Sequence, residues 1–524
     1  MPHSKTPDLA ITLADWLKTL EENNLLHRVS HEVSIHDIAW IISENYTKAT
    51  FFEKIAGYDI PLAANIASNR KMVALALGVE EKHVIHELEK RTQRRIPPTK
   101  VSDAPCKQVI KIGEEADLTV FPLHLQHELD AAPYITASVA IAKDPERTVY
   151  NLGIYRMMLR TSREMGVDVT APHKLRAYYQ RALELGKTLE VAVVVGLPTI
   201  DLLGAEISSP YDVDEYEVLG GVRGESVEIV KCETLDLYVP ANAEIVLECE
   251  MPPIGWTEDE GPYGEFTGTY GGLKMNPVLK VKAITHRRNP IFLTATHGGR
   301  HPGWTDLHLL FPIIELDLYK ALRNAGIDVR GIRLHPGGCG MWAIASIKPR
   351  AKGDSRTALY LLLTASRQAF PKYAVVVDED IDIEDDEMVI WAMTYRAQPS
   401  QDIIILDDVK AIPLDPSLPT DMPPVTTSKM GFDATIPVDR PRHRFEPCLP
   451  PKPIGKESTA EPIQAEILER LQQPRYFGEI ARNYSGEKYR RFLTIWSKLR
   501  EENLITRDPL GRYVRKATNY SRLE

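Results

Sequence analysis

Residues 257–272 read TEDEGPYGEFTGTYGG, with two carboxylates, Glu260 and Glu265, on either side of Gly261, Pro262 and Gly264. Proline inside a helix removes a donor and clashes with the preceding turn, and glycine costs backbone entropy there, so this five-residue spacing cannot be one helical face. A tight turn must set where each acid points. Taken alone, such an acid-rich turn is more often solvated surface than chemistry. Its meaning depends on what converges on it.

Working outward, the stretch lies within a β-rich region that begins near residue 108. KQVIKI, YITASVAIAK, LEVAVVVG, AEIVLECEM and LKVKAITHR are short apolar runs separated by Gly, Pro and Asp clusters, which predicts a barrel or sandwich. Upstream, DLAITLADWLKTLEENNLL has apolar residues at helical spacing, and YDIPLAANIA reads as a buried strand before the helical NRKMVALALG. Downstream of residue 307, helix and strand alternate again in LHLLFPIIELDLYKALRNAG, MWAIASIKP, RTALYLLLTAS and YAVVVDEDIDI. The proline-dense stretch 413–458 predicts an extended surface crossing or a linker. Three helical segments and a hairpin around Asp508–Gly511 then suggest a winged helix. The expected fold class is a multidomain α/β (α+β) protein. Its expected parts are an N-terminal α/β domain over 1–107, a β-barrel domain over 108–306, a C-terminal α/β domain over 307–450, and a linker with a winged-helix-like extension over 451–524.

The 524-residue chain is 43% apolar, enough for several cores, and its formal charge of −10 argues against a chain-wide surface for nucleic acid or anionic membrane. A small molecule is the better default partner. The five cysteines are scattered and show no metal-ligand spacing, so they predict reduced thiols and a cytoplasmic location. No run approaches the ~18 apolar residues of a membrane span, and the N-terminus has no signal-peptide pattern.

Several polar residues lie in the β-rich region. Asn151, His173 and Glu215 together could bind a hard or borderline divalent cation, although each alone reads equally as a turn, a helix start and a solvated loop. Arg156 with Glu260 and Glu265 could form a guanidinium–carboxylate network that separates two similar acids into partner and proton carrier. The histidines at 297, 301 and 308 sit among glycines and a proline, which favours loop or pocket roles over a second metal. The acidic run VDEDIDIEDDE lacks the spacing and glycine of a calcium loop.

NLGIYR (151–156), DEYEVLGGVRGESVEIVKCET (214–234), EGPYGEFTGTY (260–270), KYAVVVDEDIDIEDDEMVIWAMTYR (372–396) and KMGFDATIP (429–437) occur in the order of the signature stretches of the UbiD family of decarboxylases. The chain resembles that family from about residue 10 to about residue 440, and the closing helical segment lies outside the pattern. The resemblance implies a split β-barrel that binds prenylated FMN and a C-terminal domain used for oligomerisation as a dimer or hexamer. It further implies a manganese (or magnesium) ion, a potassium (or sodium) ion, and a prenylated-FMN synthase as supplier of the cofactor. Carried over residue by residue, Asn151, His173 and Glu215 match the metal ligands, and Arg156, Glu260 and Glu265 the catalytic network. Cofactor contacts fall on Asn151, Ile154, Arg156, His173, Ala205, Glu206, Ser208 and Glu215, and on Lys372 near the phosphate.

The implied reaction is reversible non-oxidative decarboxylation of an aromatic, heteroaromatic or α,β-unsaturated acid, including an aryl acyl-CoA with a free carboxylate. It proceeds through a covalent adduct with the cofactor, releases CO2, and uses Glu265 as proton donor. Two alternatives stay open on sequence: a net carboxylase using the same site, and a non-catalytic winged-helix regulatory or assembly protein on a decarboxylase scaffold. The basic residues of the closing segment are interleaved with acids, which favours a protein contact or lid over DNA.

Overall fold

A computed structural model describes residues 11–297, 299–368, 370–419, 425–448, 450 and 461–516. The chain divides into two compact units, residues 1–442 and 443–524.

The first helix, Leu13–Glu22, starts on a capping box between Thr12 and Asp15 and buries Leu13, Trp16, Leu17 and Leu20 at three- and four-residue spacing. It covers a four-stranded sheet in the order 26–29, 49–52, 62–64, 292–294. The last of these strands, Phe292–Thr294, pairs parallel with Leu62–Ala64. The regions expected as separate domains, 1–107 and 108–306, therefore share a sheet.

The central sheet has nine strands: β1 (Val109–Ile112), β2 (Tyr134–Ile135), β3 (Ser138–Lys143), β4 (Tyr150–Ile154), β5 (Met157–Thr161), β6 (Glu164–Val167), β7 (Leu189–Val195), β8 (Ile245–Met251) and β9 (Val278–His286). Their order is β2-β5-β6-β9-β8-β7-β3-β4, with β1 beside β9. β7 is antiparallel to both neighbours. All its residues except Glu190 are buried, which explains why LEVAVVV reads as a continuous apolar run rather than an alternation. Helices α1 (Lys174–Glu184), α2 (Thr199–Ala205) and α3 (Glu215–Arg223) interrupt the strands.

Helix α4 (Leu307–Asn324) opens the C-terminal region. Its Glu315 is fully buried, binds Arg70 Nη1 at 2.5 Å and accepts the Leu334 N–H at 2.9 Å, tying α4 to the N-terminal region. A five-stranded sheet follows in the order 329–334, 342–347, 373–378, 426–434, 403–410. Here the linker expectation for 413–458 is corrected in part. Thr426–Ala434 is a nine-residue strand lying between Tyr373–Asp378 and Ile403–Lys410. Prolines flank it at 419, 423, 424 and 437, but none falls inside it. Residues 420–424, 449 and 451–458 of that stretch lie outside the described residues, and the unit boundary falls at 442/443 rather than 450/451.

The second unit has helices Gln464–Arg470, Phe477–Ala481 and Gly486–Glu501 and a hairpin of Ile505–Arg507 with Tyr513–Arg515. Ile467, Leu471, Ile480, Phe492, Trp496 and Leu499 form its own core. Arg475 bridges to Tyr513 as a third short β contact, completing a winged-helix arrangement. Among the described residues no helix is long and apolar enough to cross a membrane. The five cysteines are unpaired, four of them buried.

Candidate active site

β4 lies at one end of the central strand order and β5 next to the other, yet only Tyr155 and Arg156 connect them in sequence. Arg156 therefore sits on a two-residue bridge across the curled sheet, pinned by the Asp168 N–H donating to its carbonyl at 3.2 Å.

The EGPYGE turn is built from two small ribbons. Glu258–Glu260 pairs with Lys274–Asn276, and Tyr263–Gly264 pairs with Tyr270–Gly271. Gly261 has φ +94°, and a Cβ there would stand 2.8 Å from the Gly272 carbonyl oxygen, so the bend requires glycine. This bend delivers both acids to one guanidinium. Arg156 Nε donates to Glu260 Oε1 at 2.8 Å, Nη2 to Glu260 Oε2 at 3.1 Å, and Nη1 to Glu265 Oε1 at 2.8 Å. Glu260 and Glu265 are 1% and 5% exposed. The Tyr263 ring lies 4.9 Å from the guanidinium carbon, a cation–π contact in a desolvated setting. Burial works against the charge on Arg156, but Asp168, Glu265 and Glu260 more than offset it and hold the group cationic.

Asp168 is the member that sequence reasoning missed. Its Oδ2 lies 2.8 Å from Arg156 Nη2 and 3.6 Å from Lys274 Nζ, and Thr170 donates N–H and O–H to Oδ1. Burial pushes this carboxyl up, yet Arg156, Lys274 and the Thr170 donors bring it down to about 2. The one signal in sequence was the Asp-Val-Thr turn that ends β6.

Of the three residues expected as metal ligands, Asn151 and Glu215 meet directly. Asn151, on β4, and Glu215, the first residue of α3, are both buried rather than in a turn and a solvated loop. Asn151 Nδ2 donates to Glu215 Oε2 at 2.7 Å, while Asn151 Oδ1 is buried with no hydrogen-bond partner. The other Glu215 oxygen meets Lys174 Nζ at 2.9 Å and the Ser209 hydroxyl at 3.0 Å. His173 caps α1 at its N-terminus, and burial holds its imidazole below the ordinary range despite Asp168 and Glu215. A neutral imidazole, an orphaned amide oxygen and a carboxylate are donors that suit a divalent cation.

Arg156, Glu265, Asp168, His173, Ile154 and Glu206 share a cavity of about 300 Å³, with Tyr263, Phe266, Leu307 and Leu310 as apolar wall. Glu206 follows Ala205 at the end of α2. Desolvation, with Asp306 nearby, pushes its carboxyl up to about 8. Ser208 is exposed two residues on. Lys372 is not brought into this cavity. Its ammonium holds Asp415 Oδ2 and Ser417 Oγ, each at 2.7 Å, beside a separate cavity of about 230 Å³ that shares only Phe266 with the first. Of the three histidines, His297 lines the Arg156 cavity, His301 stacks on Tyr46 at 3.7 Å, and His308 is buried in α4.

Models of the N-terminal, Rift-related and C-terminal domains of 3-octaprenyl-4-hydroxybenzoate carboxy-lyase match residues 17–92, 99–301 and 308–434. A phenolic acid decarboxylase of Sedimentibacter hydroxybenzoicus is 33% identical over 479 residues, covering 87% of this chain and 98% of its own. The chain belongs to the UbiD family. Among solved structures, the UbiD-class enzyme HmfF of Pelotomaculum thermopropionicum in complex with FMN is 34% identical with a TM-score of 0.79, covering 84% of this chain and 97% of its own. An evolved dimeric form of that enzyme, in complex with prFMN, is 33% identical with a TM-score of 0.75, covering 82% and 96%. This UbiD protein is thus an enzyme of the carboxy-lyase type, with a flavin-binding half-barrel between N- and C-terminal domains. The UbiD domains end at residue 434, and the winged helix is an addition to them.

Proposed function

We propose that this UbiD enzyme binds prenylated FMN and reversibly decarboxylates a planar aromatic acid, with Arg156, Glu260 and Glu265 as catalytic residues. One observation carries the reading: a buried guanidinium holds two glutamates at 2.8 Å each, at the wall of the cavity that His173 also lines.

The chain's donors fit the cofactor and its ions. Asn151, with its unpartnered buried Oδ1, His173 and Glu215 would hold manganese or magnesium and, through it, a dianionic phosphate. Carbonyls around Ala205–Ser208 would hold potassium or sodium, which would offset the desolvated Glu206 carboxyl. Ile154 would lie against the flavin. Breaking the bond from an sp2 carbon to CO2 leaves an unstable electron pair, for which bound prenylated FMN supplies an electron sink.

The remaining work belongs to side chains. Arg156 orients the substrate carboxylate. Glu260, bound through both oxygens, fixes the guanidinium plane and leaves Nη1 aimed at Glu265. Glu265 delivers a proton to the vacated carbon, and Phe266, Leu307 and Leu310 keep water from competing. The apolar and aromatic wall, and the phenolic acid named for the curated relative, support an aromatic substrate. Assembly as a homo-oligomer is supported by Ile390, Tyr395 and Ile405, large apolar side chains exposed by 61%, 68% and 64% in the C-terminal region.

The test is deuterium exchange. Protein co-produced with a prenylated-FMN synthase is incubated with a library of decarboxylated arenes and acrylates in D2O. Exchange at one carbon of an arene supports the reading, and a flavin-loaded protein inert to the whole library contradicts it.

A further inference from the structure

The winged helix is charged unlike the chain as a whole. Residues 461–516 carry twelve lysines and arginines against eight acids, a net charge of +4, while the complete chain stands at −10. A basic module on an acidic protein is an electrostatic footprint for a polyanion. In sequence the acids of this unit alternate with its cations, but in the structure most are already engaged. Glu461 and Glu487 both hold Arg491, at 3.1 and 3.3 Å. Asp508 holds Arg512 at 2.7 Å, Glu479 accepts the Tyr476 N–H at 2.6 Å, and Glu501 accepts the Ser497 hydroxyl at 3.0 Å. Of the other three, Glu466 and Glu469 lie on the first helix and Glu502 caps the end of the third.

Helix Gly486–Glu501 turns Phe492, Trp496 and Leu499 into the core. Arg490, Thr494, Ser497 and Lys498, at three- and four-residue spacing, are left on the exposed face, with Glu487 and Glu501 at its two ends. Among the described residues neither Arg490 nor Lys498 has a carboxylate partner. Where this helix meets the wing, two more cations converge. Arg500 Nη1 and Arg507 Nη2 both donate to the Tyr513 hydroxyl oxygen, at 3.1 and 2.7 Å, and their guanidinium carbons lie 5.8 and 4.9 Å from its ring centre. Neither has a carboxylate within ion-pair distance among the described residues. Two like charges sharing one neutral oxygen repel each other, and a phosphate between them would relieve that repulsion through the N–H donors still free.

We propose that the winged helix binds duplex DNA, with Gly486–Glu501 laid in the major groove, Arg490 and Lys498 on phosphates beside it, and Arg500 with Arg507 on a third. The order of elements is that of a helix-turn-helix with a wing: Phe477–Ala481, a turn over 482–485, the longer third helix, and the hairpin. The major groove of B-DNA, about 12 Å wide, admits such a helix. Among the large apolar side chains of the third helix only Leu493, at 40%, is exposed. A face of cations and hydroxyls with so little apolar surface suits a phosphate backbone better than the apolar core of a protein interface. This departs from the sequence expectation of a protein contact or lid, because the acids that alternate with the cations are largely engaged by other groups.

The experiment is fluorescence anisotropy of the full-length protein on a labelled random-sequence DNA duplex of about 30 bp, over about 50–200 mM salt. Three neutralised phosphates give an expected slope of log affinity against log salt of about −2.7. Arg490→Ala with Lys498→Ala should bring it to about −0.9 and weaken binding near 0.15 M salt by roughly thirtyfold. Arg500→Gln with Arg507→Gln should remove about 0.9 from the wild-type slope. The conservative pair Arg490→Lys with Lys498→Arg should keep the wild-type slope, which separates lost charge from lost fold. Duplex RNA of the same sequence, whose major groove is too narrow for a helix, should bind at least about tenfold more weakly than DNA. No binding at the lowest salt, a slope that the alanine pair leaves unmoved, a conservative pair that loses the slope, or RNA bound as tightly as DNA would each overturn the proposal.

Discussion

Asn151 and Glu215, 64 residues apart in sequence, meet at 2.7 Å, with the Asn151 amide N–H donating to the carboxylate and its carbonyl oxygen buried without a partner. An unsatisfied buried acceptor costs about 1–3 kcal/mol, and a chain tolerates it where a ligand completes the site. On the proposed reading, a divalent cation shared with Glu215 and His173 would complete it.

Asn151→Leu removes that oxygen while filling its space. Metal affinity is expected to fall by at least about tenfold, and flavin occupancy with it, because on the proposed reading the metal would link protein to phosphate. Metal analysis and the absorbance spectrum of purified protein check this. Full occupancy of both would remove Asn151 from the ligand set.

Gly271→Ala tests the placement of Glu265 without touching it. A Cβ at position 271 would stand 2.5 Å from Glu265 Oε1, so the carboxylate must turn away from Arg156. Misplacement of about 1 Å costs on the order of 10²-fold in rate. The expected outcome is a drop of that size in kcat with cofactor occupancy retained.

His308 gives a pH prediction. Burial, with Arg70 and Arg333 adding to it, brings this imidazole down to about 3, below its unfolded value near 6.5. The unfolded chain binds the extra proton between those values, so stability is fully present above pH 6.5 and declines as pH falls toward 3, by about 1.4 kcal/mol per unit in the steep range. His308→Phe should flatten that part of the Tm–pH curve. An unchanged slope would mean that another group carries the proton.

The winged helix has its own aromatic core, in which Phe492 contacts Phe477, Tyr484, Tyr489 and Trp496. Phe492→Ala should cost this unit about 3–5 kcal/mol. Calorimetry should then show an early transition for residues 461–516 and a main transition at the wild-type temperature. A single shifted transition would contradict independent cores.

Much of this was legible in the sequence because period and turn chemistry agreed with the fold. LEVAVVV, AEIVLECEM and LKVKAITHR became β7, β8 and β9, and the glycines of EGPYGE marked a bend that brings two acids to one arginine. Strand Thr426–Ala434 was hidden because it carries Lys429, a buried lysine whose ammonium donates to the Leu363 carbonyl, inside a proline-rich stretch. Asp168 and Lys274 were hidden for another reason. Each is an ordinary polar residue locally, and only the closure of the sheet brings them to Arg156. Lys372 shows the converse: its sequence context matches the family, but Asp415 holds its ammonium in a different cavity.

The central claim is that Glu265 protonates the carbon that CO2 leaves. Cofactor-loaded wild type and Glu265→Gln are compared for deuterium incorporation into the product in D2O, with flavin and metal content measured on the same samples. The account predicts one deuteron per wild-type product and a loss of about 10²–10⁴-fold in the variant at equal flavin and metal content. Near wild-type turnover by a fully loaded Glu265→Gln would contradict it.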